Sequence, residues 1–219
     1  MIFTCKAILF DLDGVLIDST PAVARTWSAW AIQHGIDPKV AVEKAHGRRS
    51  IETIRTLTPD LDAEAENKIV ERMEIEDKEG VVALPGTREL LASVPPDRFA
   101  IVTSATRALA RARLSYAGLP APRNMICADD VINGKPSPEP YLKGAQLLGF
   151  APKDCLVIED APAGIRSAHA AGARVLAVVN TYPEEALREA DTITASLTSV
   201  KVEMSGTELM VRTGAVVAT

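Results

Sequence analysis

The chain contains few aromatic residues, few cysteines and no long apolar run. Aromatic residues make up only 4% of its 219 residues, and no block of basic residues with interleaved aromatics occurs, which excludes the usual nucleic-acid-binding surface. No apolar stretch approaches the ~20 residues that a membrane-spanning helix needs. The first predicted strand begins so close to the N-terminus that it leaves no room for a signal peptide. We therefore expect a cytoplasmic protein with neither a nucleic-acid nor a membrane partner.

The cysteines are too few and too widely separated for a disulfide framework. Cys5, Cys127 and Cys155 each lie in or beside an apolar run. This placement is typical of buried, reduced thiols and argues against a zinc site.

Enough apolar sequence is present, by contrast, for a substantial core. Hydrophobic residues make up 47% of the chain, and its formal net charge is −5. From residue 85 onward, apolar strand patterns alternate with helical patterns, which predicts a doubly wound parallel sheet of the α/β class. The ligand site of such a sheet lies beyond the carboxyl ends of its strands. The predicted strands span 7–10, 99–103, 124–128, 155–158 and 174–179, and the predicted helices span 106–117, 138–148 and 163–171.

Residues 18–84 break this alternation. They show helical patterns at 20–34, 38–46, 50–57 and 62–78, several with apolar residues at three- and four-residue spacing, and no convincing strand. Trp27 and Trp30, one turn apart, are predicted to pack inside this helical module. We expect a core of residues 1–17 and 85–219 with an all-helical module, residues 18–84, inserted over the ligand site. The tail after Ser199 is weakly patterned, with a short strand expected at 209–212.

Paired carboxylates follow the first predicted core strand. The apolar run Ala7-Ile8-Leu9-Phe10 leads directly into Asp11-Leu12-Asp13-Gly14. In an extended chain, residues two apart point to the same side, with α-carbons roughly 6.5–7 Å apart. Two carboxylates so close repel each other unless a cation lies between them. Hard oxygen ligands favour Mg2+, the usual partner of carboxylates and phosphates, so this strand end predicts metal-assisted chemistry.

Three further strand ends carry groups that suit a phosphate ester. Small residues, Thr103-Ser104-Ala105-Thr106, precede a helix, where hydroxyls and backbone N–H groups can hold phosphate oxygens. Lys135 lies among prolines on a stiff loop, and the acidic pair Glu159-Asp160 follows the apolar strand at 155–158. Each feature alone also fits an ordinary helix cap or a solvated side chain. Together, at successive strand ends, they predict one phosphate and metal site.

This combination resembles the haloacid dehalogenase-like superfamily, and specifically its members with a helical (C1) cap. Several stretches are similar to the glycerol-3-phosphatase and 2-deoxyglucose-6-phosphatase subgroup of the β-phosphoglucomutase-like group. Among them are His46-Gly47-Arg48-Arg49 and Glu159-Asp160-Ala161-Pro162-Ala163-Gly164. The resemblance covers nearly the whole chain and implies a Rossmann-like core. The four superfamily motifs are met, in order, by Asp11-Leu12-Asp13-Gly14, Ser104, Lys135 and Glu159-Asp160.

The resemblance implies a Mg2+-dependent phosphatase that hydrolyses a small sugar or polyol phosphate through an aspartyl-phosphate. Asp11 would be the nucleophile, and Asp13 would be the general acid and base. Mg2+ would be held by the Asp11 carboxylate, the Asp13 backbone carbonyl and Asp160, with Glu159 close by. The residues expected to bind the phosphate are Ser104, the Ala105 N–H and Lys135, with Thr103 an alternative to Ser104.

Substrate specificity is expected to depend on the helical module. His46, Arg48 and Arg49 lie at the start of a predicted helix, where guanidinium groups can contact substrate hydroxyls or a second anion. The alternative activity is that of a β-phosphoglucomutase-like mutase, whose relatives place an arginine three residues after the cap glycine. Here that position is Ser50, which favours the phosphatase. The remaining alternative is a catalytically silent protein that binds a phosphorylated ligand. We expect the protein to be a monomer whose partner is a small phosphate ester.

Overall fold

The computed structural model describes residues 1–214 and contains a parallel sheet flanked by helices. The strands are β1 (Ile2–Cys5), β2 (Ala7–Phe10), β3 (Ile17–Asp18), β4 (Val82–Ala83), β5 (Phe99–Val102), β6 (Met125–Ile126), β7 (Cys155–Glu159), β8 (Arg174–Val178), β9 (Thr192–Thr194), β10 (Val200–Ser205) and β11 (Glu208–Thr213). The α-helices are α1 (Thr20–Gln33), α2 (Pro38–Ala45), α3 (Ser50–Leu57), α4 (Ala63–Glu76), α5 (Thr87–Ser93), α6 (Arg107–Tyr116), α7 (Glu139–Leu148) and α8 (Pro162–Ala171).

The main sheet has six strands in the order β6-β5-β2-β7-β8-β9, and all of its pairings are parallel. Its central strands β2, β5 and β7 are buried at every position, because helices and loops cover both faces. Separate apolar clusters lie on the two faces, one centred on Phe10 and Ile158 and the other on Leu9 and Val157. The predicted α/β class and parallel sheet are confirmed.

The helices α1–α4 lie between two short strands. β3 and β4 pair antiparallel, with Ile17 opposite Ala83, so the chain leaves the α/β core and returns to it at one place. The prediction of no strand within residues 18–84 is therefore wrong at the margins of that segment. Two-residue strands are too short to produce an alternating pattern in the sequence.

The helical segment has an apolar core of its own. Trp27 and Trp30 are buried and meet edge to face, with ring centroids 5.5 Å apart. They pack with Ile54 of α3 and Val70 of α4. The prediction that both tryptophans pack inside the helical module is confirmed.

A second sheet contributes to the apolar cluster that contains Phe10 and Ile158. It is antiparallel, in the order β1-β11-β10, and it pairs the N-terminal strand with a strand that begins at Glu208. The strand expected at 209–212 is therefore confirmed, whereas β1, β9, β10 and α5 were not predicted. Cys5, Cys127 and Cys155 are free and buried, as expected. Across residues 1–214, no helix has the length and apolar character needed to cross a membrane.

Candidate active site

Polar side chains from four segments of the core meet at the carboxyl end of the main sheet. Asp11 directly follows β2, Thr103 directly follows β5, and Glu159 is the last residue of β7. Because β2 pairs in parallel with both β5 and β7, these three strand ends lie side by side. Lys135, on the loop between β6 and α7, reaches the same place, and only 1% of its surface is exposed.

Lys135 forms the centre of a buried ionic network. Its Nζ donates to Asp11 Oδ1 at 2.6 Å, to Glu159 Oε1 at 2.8 Å and to the Val102 carbonyl at 3.0 Å, which uses all of the hydrogens of an ammonium group. Burial disfavours the charged form, but the two carboxylates outweigh it and raise the pKa of Lys135 above its ordinary value. The lysine therefore carries a fixed positive charge beside Asp11.

Glu159 is held by donors on both of its carboxylate oxygens. Its Oε1 accepts from Lys135 and from the Tyr141 hydroxyl at 2.9 Å, and its Oε2 accepts from the backbone N–H groups of Asp160 and Ala161 at 2.8 and 2.9 Å. A carboxylate so fully engaged orients its neighbours and has little capacity left for a cation. Nothing in the sequence indicates the contact of Tyr141 with Glu159.

Three carboxylates lie close enough to share one metal ion. Asp11, Glu159 and Asp160 each place an oxygen within 4.8 Å of the others, and all three residues are buried. Burial raises the pKa of Asp11 to about 7 against the opposing effect of Lys135, and burial with repulsion from Glu159 raises the pKa of Asp160 well above its ordinary value. One lysine does not offset this buried negative charge, so the hard oxygen donors here fit a divalent cation.

A glycine makes room for this cluster. Gly14, at a φ of +84°, lies so close to Asp160 that an added Cβ would be 1.8 Å from the Asp160 Oδ2 atom. The Asp-Leu-Asp-Gly turn therefore needs glycine for two reasons, its left-handed backbone and the close approach of a carboxylate.

The Asp13 carboxylate does not belong to the acidic cluster of Asp11, Glu159 and Asp160. Its Oδ2 is 2.9 Å from Nη1 of Arg113, and its Oδ1 accepts from the Ser19 hydroxyl at 2.7 Å. The metal-ligand set predicted from the sequence included Asp13 through its backbone carbonyl. A cavity lies between the carboxyl ends of the core strands and the helices α1–α4, which form the helical insertion, and the Asp13 carboxylate lines this cavity.

Arg113 and Glu74 were missed by the sequence analysis. Arg113 of α6 is buried, and its Nη2 donates to Glu74 Oε1 of α4 at 3.1 Å. A signal for both residues is nonetheless present in the sequence. Arg113 follows Leu109 by four residues and precedes Leu114 on the buried face of α6, and Glu74 follows the buried Val70 by four. A lone charge on an apolar helix face calls for a buried partner.

Ser104 and Thr103 both line the cavity but make different contacts. The Ser104 hydroxyl donates to the Gly47 carbonyl of the helical insertion at 3.3 Å, whereas the Thr103 hydroxyl accepts from the Ala105 N–H at 3.0 Å. Ser104 therefore faces the insertion across the cavity, and Thr103 stabilises its own loop. Ala105 also lines the cavity.

His46 and Arg48 line the cavity from the side of the insertion. Burial lowers the pKa of His46, although the nearby Asp13 opposes this. Arg48 is exposed and extends into a second, neighbouring cavity beside α8.

Arg49 does not line the cavity, and the expectation that it contacts substrate is not supported by its position. Its Nε donates to Glu52 at 2.7 Å, and its two terminal nitrogens reach the carbonyls of Val131 and Ile132 at 3.2 and 2.9 Å. Glu52 in turn accepts from the Gly134 N–H at 3.2 Å. Arg49 therefore fastens the insertion to the loop that carries Lys135.

Known proteins share both the sequence pattern and the fold. A family model described as haloacid dehalogenase-like hydrolase matches residues 5–172. Hexitol phosphatase A of Escherichia coli is 45% identical over 206 residues, which cover 90% of this chain and 94% of that protein. Glycerol-1-phosphate phosphohydrolase 2 of Saccharomyces cerevisiae is 33% identical over 211 residues, with 90% of this chain and 84% of that protein covered.

Solved structures agree with these matches. A hydrolase from Pseudomonas syringae superposes with a TM-score of 0.78 at 26% identity, covering 87% of this chain and 94% of the other. A β-phosphoglucomutase from Clostridium difficile superposes with a TM-score of 0.74 at 26% identity, covering 90% and 93%. With the family model spanning most of the chain, this protein belongs to the haloacid dehalogenase-like hydrolases.

Proposed function

We propose that the protein is a Mg2+-dependent phosphatase that hydrolyses a small sugar or polyol phosphate through an aspartyl-phosphate on Asp11. The observation that carries the proposal is the placement of Asp11. Its carboxylate is buried at the end of β2, bonded to Lys135 and adjacent to Asp160. A nucleophile held beside a fixed cation suits attack on a negatively charged phosphate.

The carboxylates of Asp11 and Asp160 and the backbone carbonyl of Asp13 would hold the Mg2+ ion. Glu159 is already bonded on both of its oxygens. The ion would neutralise negative charge on the phosphate and on the carboxylates around it. Glu159 then serves to orient Lys135 and the backbone at Asp160. Lys135 lowers the pKa of Asp11 against the effect of burial and so favours its charged form, and the bond from Lys135 to Asp11 Oδ1 orients the carboxylate.

The chain's own groups account for each bond change. An Asp11 oxygen attacks phosphorus as the ester oxygen leaves, and the Asp13 carboxyl gives its proton to that leaving oxygen. The Asp13 carboxylate then takes a proton from water, which attacks the aspartyl-phosphate and regenerates Asp11. Ser104 and the Ala105 N–H lie at the same edge of the cavity and would bind phosphate oxygens, the Ala105 N–H in place of its bond to the Thr103 hydroxyl.

The charges of the cavity favour a leaving group that is rich in hydroxyls and carries no second phosphate. Two arginines line the cavity. Arg48 is exposed to solvent, and Arg113 is paired with two carboxylates. His46 is a weak candidate for a third because burial lowers its pKa. Glu71 and Glu74 also line the cavity and would repel a second anion. A mutase that turns over a bisphosphate fits this lining less well than a phosphatase does.

The relatives support the same substrate class, because their names specify hexitol and glycerol phosphates. We further propose that residues 18–84 form a cap over a core of residues 1–17 and 85–219. A cytoplasmic location and a monomeric state complete the proposal.

Phosphate release from a panel of esters tests the proposal. The panel comprises hexitol, glycerol and 2-deoxyglucose phosphates, p-nitrophenyl phosphate and β-glucose 1-phosphate, each assayed with Mg2+ and with EDTA. We expect Mg2+-dependent release from the polyol or sugar esters and no conversion of β-glucose 1-phosphate to glucose 6-phosphate. Isomerisation without phosphate release would contradict the phosphatase in favour of the mutase, and equal activity in EDTA would contradict the role of the metal.

A further inference from the structure

We propose that Arg113 is a positioning residue for the Asp13 carboxylate and that Glu74, from the helical insertion, anchors Arg113 in turn. The inference rests on the proposed function, because it concerns the step in which the leaving oxygen is protonated. It assigns a part in that step to two residues outside the four motifs of the sequence. It also makes the orientation of Asp13 depend on the insertion being seated on the core.

The geometry shows a fork that joins three elements. Nη1 of Arg113 lies 2.9 Å from Asp13 Oδ2, and Nη2 lies 3.1 Å from Glu74 Oε1. Arg113 belongs to α6 of the core, Glu74 belongs to α4 of the insertion, and Asp13 belongs to the turn after β2. Because a guanidinium is planar and rigid, engaging separate nitrogens fixes its rotation about the side chain. Arg113 therefore presents Nη1 to Asp13 in one orientation.

Burial makes this fork costly to replace. Arg113 is 5% exposed and Glu74 is 6% exposed, and all of the buried side-chain nitrogens and oxygens of residues 1–214 have hydrogen-bond partners. Among these described residues, the ion pairs of Arg113 are those with Asp13 and Glu74. Without Glu74, the guanidinium would lose one of its two buried anchors and would be free to turn away from Asp13.

The Asp13 carboxylate is held from both sides. Arg113 contacts Oδ2, and the Ser19 hydroxyl donates to Oδ1 at 2.7 Å. A guanidinium beside one oxygen and a hydroxyl donor on the other restrict the orientation of the group, and all of these side chains line the same cavity. General acid catalysis depends on such placement, since an error of about 1 Å can cost 100-fold in rate.

The competing explanation is a structural ion pair that only joins the insertion to the core. The two explanations differ in how the leaving group should matter. p-Nitrophenolate leaves as a stable anion and needs no proton, whereas a polyol alkoxide must be protonated as it leaves. Loss of general acid positioning should therefore slow the hydrolysis of polyol phosphates selectively. Loss of a structural contact should slow the hydrolysis of both esters alike.

The test compares Arg113→Lys and Glu74→Gln on p-nitrophenyl phosphate and on hexitol or glycerol phosphate, whichever the wild type hydrolyses faster. Arg113→Lys keeps the charge but loses the fork, and Glu74→Gln keeps the shape but loses the charge. The matched controls are Arg111→Lys on α6 and Glu64→Gln on α4, both at exposed positions. Inhibition by inorganic phosphate provides a readout that does not involve the leaving group.

We expect Arg113→Lys to lower kcat for the polyol ester about 10- to 100-fold and kcat for the aryl ester less than about threefold. Glu74→Gln should lower kcat for the same two esters in the same order, by smaller factors. The double variant should lose little more than Arg113→Lys alone, because both substitutions act through one group. Inhibition by inorganic phosphate should be unchanged, since Asp11, Lys135 and Asp160 are untouched.

An equal loss for both esters, or no loss for either, in soluble and folded variants would overturn the inference. If Arg113→Lys does not fold, the ratio of the two esters in Glu74→Gln decides in the same way. A wild type that releases phosphate from neither ester would instead overturn the proposed function, so the two failures are distinguishable.

Discussion

Buried charged side chains that are fully paired form the chemical core of this protein. Lys135 forms ion pairs with Asp11 and Glu159, and Arg113 forms ion pairs with Asp13 and Glu74. Each cation lies within ion-pair distance of a carboxylate proposed to react and of a second carboxylate that holds the cation in place. The reactive groups are thereby fixed before substrate arrives, which is the condition for effective electrostatic catalysis.

Gly164 offers a residue-scale test of this arrangement. An added Cβ at Gly164 would lie 1.6 Å from Glu159 Oε1 and 1.9 Å from its carboxyl carbon. In an ordinary helix interior, replacing glycine by alanine stabilises a protein by about 1 kcal/mol. We expect the opposite sign here: Gly164→Ala should lower the free energy of unfolding by about 1–3 kcal/mol. It should also lower kcat roughly tenfold, because Glu159 would no longer orient Lys135.

Urea unfolding and steady-state kinetics measure both effects. Gly172→Ala is the control, since Gly172 has a φ of +87° but nothing lies within 4 Å of its added Cβ. That variant should lose stability through backbone strain and keep its activity. A Gly164→Ala variant as stable and as active as the wild type would show that the packing around Glu159 is looser than described.

At the scale of elements, the start of α3 joins the helical insertion to the core. Arg48 extends into the cavity, whereas Arg49, with Glu52, binds the backbone of residues 131–134 before Lys135. Neighbouring arginines therefore have different surroundings, which residue type alone does not reveal. Both arginines were predicted from the sequence to contact substrate, and of the two only Arg48 lines the cavity.

Alanine substitutions at these two positions should separate the roles. We expect Arg48→Ala to raise KM for the polyol phosphate by about 10-fold and to leave KM for p-nitrophenyl phosphate nearly unchanged, because a lost hydrogen bond to a charged group costs about 1.5–3 kcal/mol. Arg49→Ala should lower kcat for the two esters by the same factor, because the loop before Lys135 loses its contact with the insertion.

Arg55→Ala is the matched control on the same helix. Arg55 pairs with Glu64 at the exposed surface of the insertion, so its loss should leave both kinetic constants unchanged. A selective rise in KM for the polyol phosphate in Arg49→Ala, with none in Arg48→Ala, would reverse the assignment.

At the scale of the whole molecule, local pattern and long-range pairing were predictable to different degrees. The strands β2, β5, β7 and β8 and the helices α6–α8 are long and periodic enough to be identified, and the parallel sheet and the meeting of Asp11 with Lys135 at its edge follow from them. β1 was not identified, because it owes its place to β11, about 200 residues further along the chain.

The site was predictable where a group follows a strand and not where two distant helices meet. Asp11, Glu159 and Asp160 directly end or follow apolar strands, and strand ends converge in any parallel sheet. The pairing of Arg113 with Glu74 depends instead on how α4 of the insertion packs against α6 of the core. Sequence periodicity places each charge on a buried helix face but does not say which faces meet.

The substitution Asp11→Asn tests the central claim most directly, because it removes the proposed nucleophile and preserves its size. This variant should retain the fold, since Lys135 keeps its contacts with Glu159 and the Val102 carbonyl. Turnover of the polyol phosphate and of p-nitrophenyl phosphate should fall at least about 100-fold, with Asp97→Asn, at a surface position, as the active control. A folded Asp11→Asn enzyme that retains more than about 5% of wild-type turnover would contradict the account, since no other group is proposed to attack phosphorus.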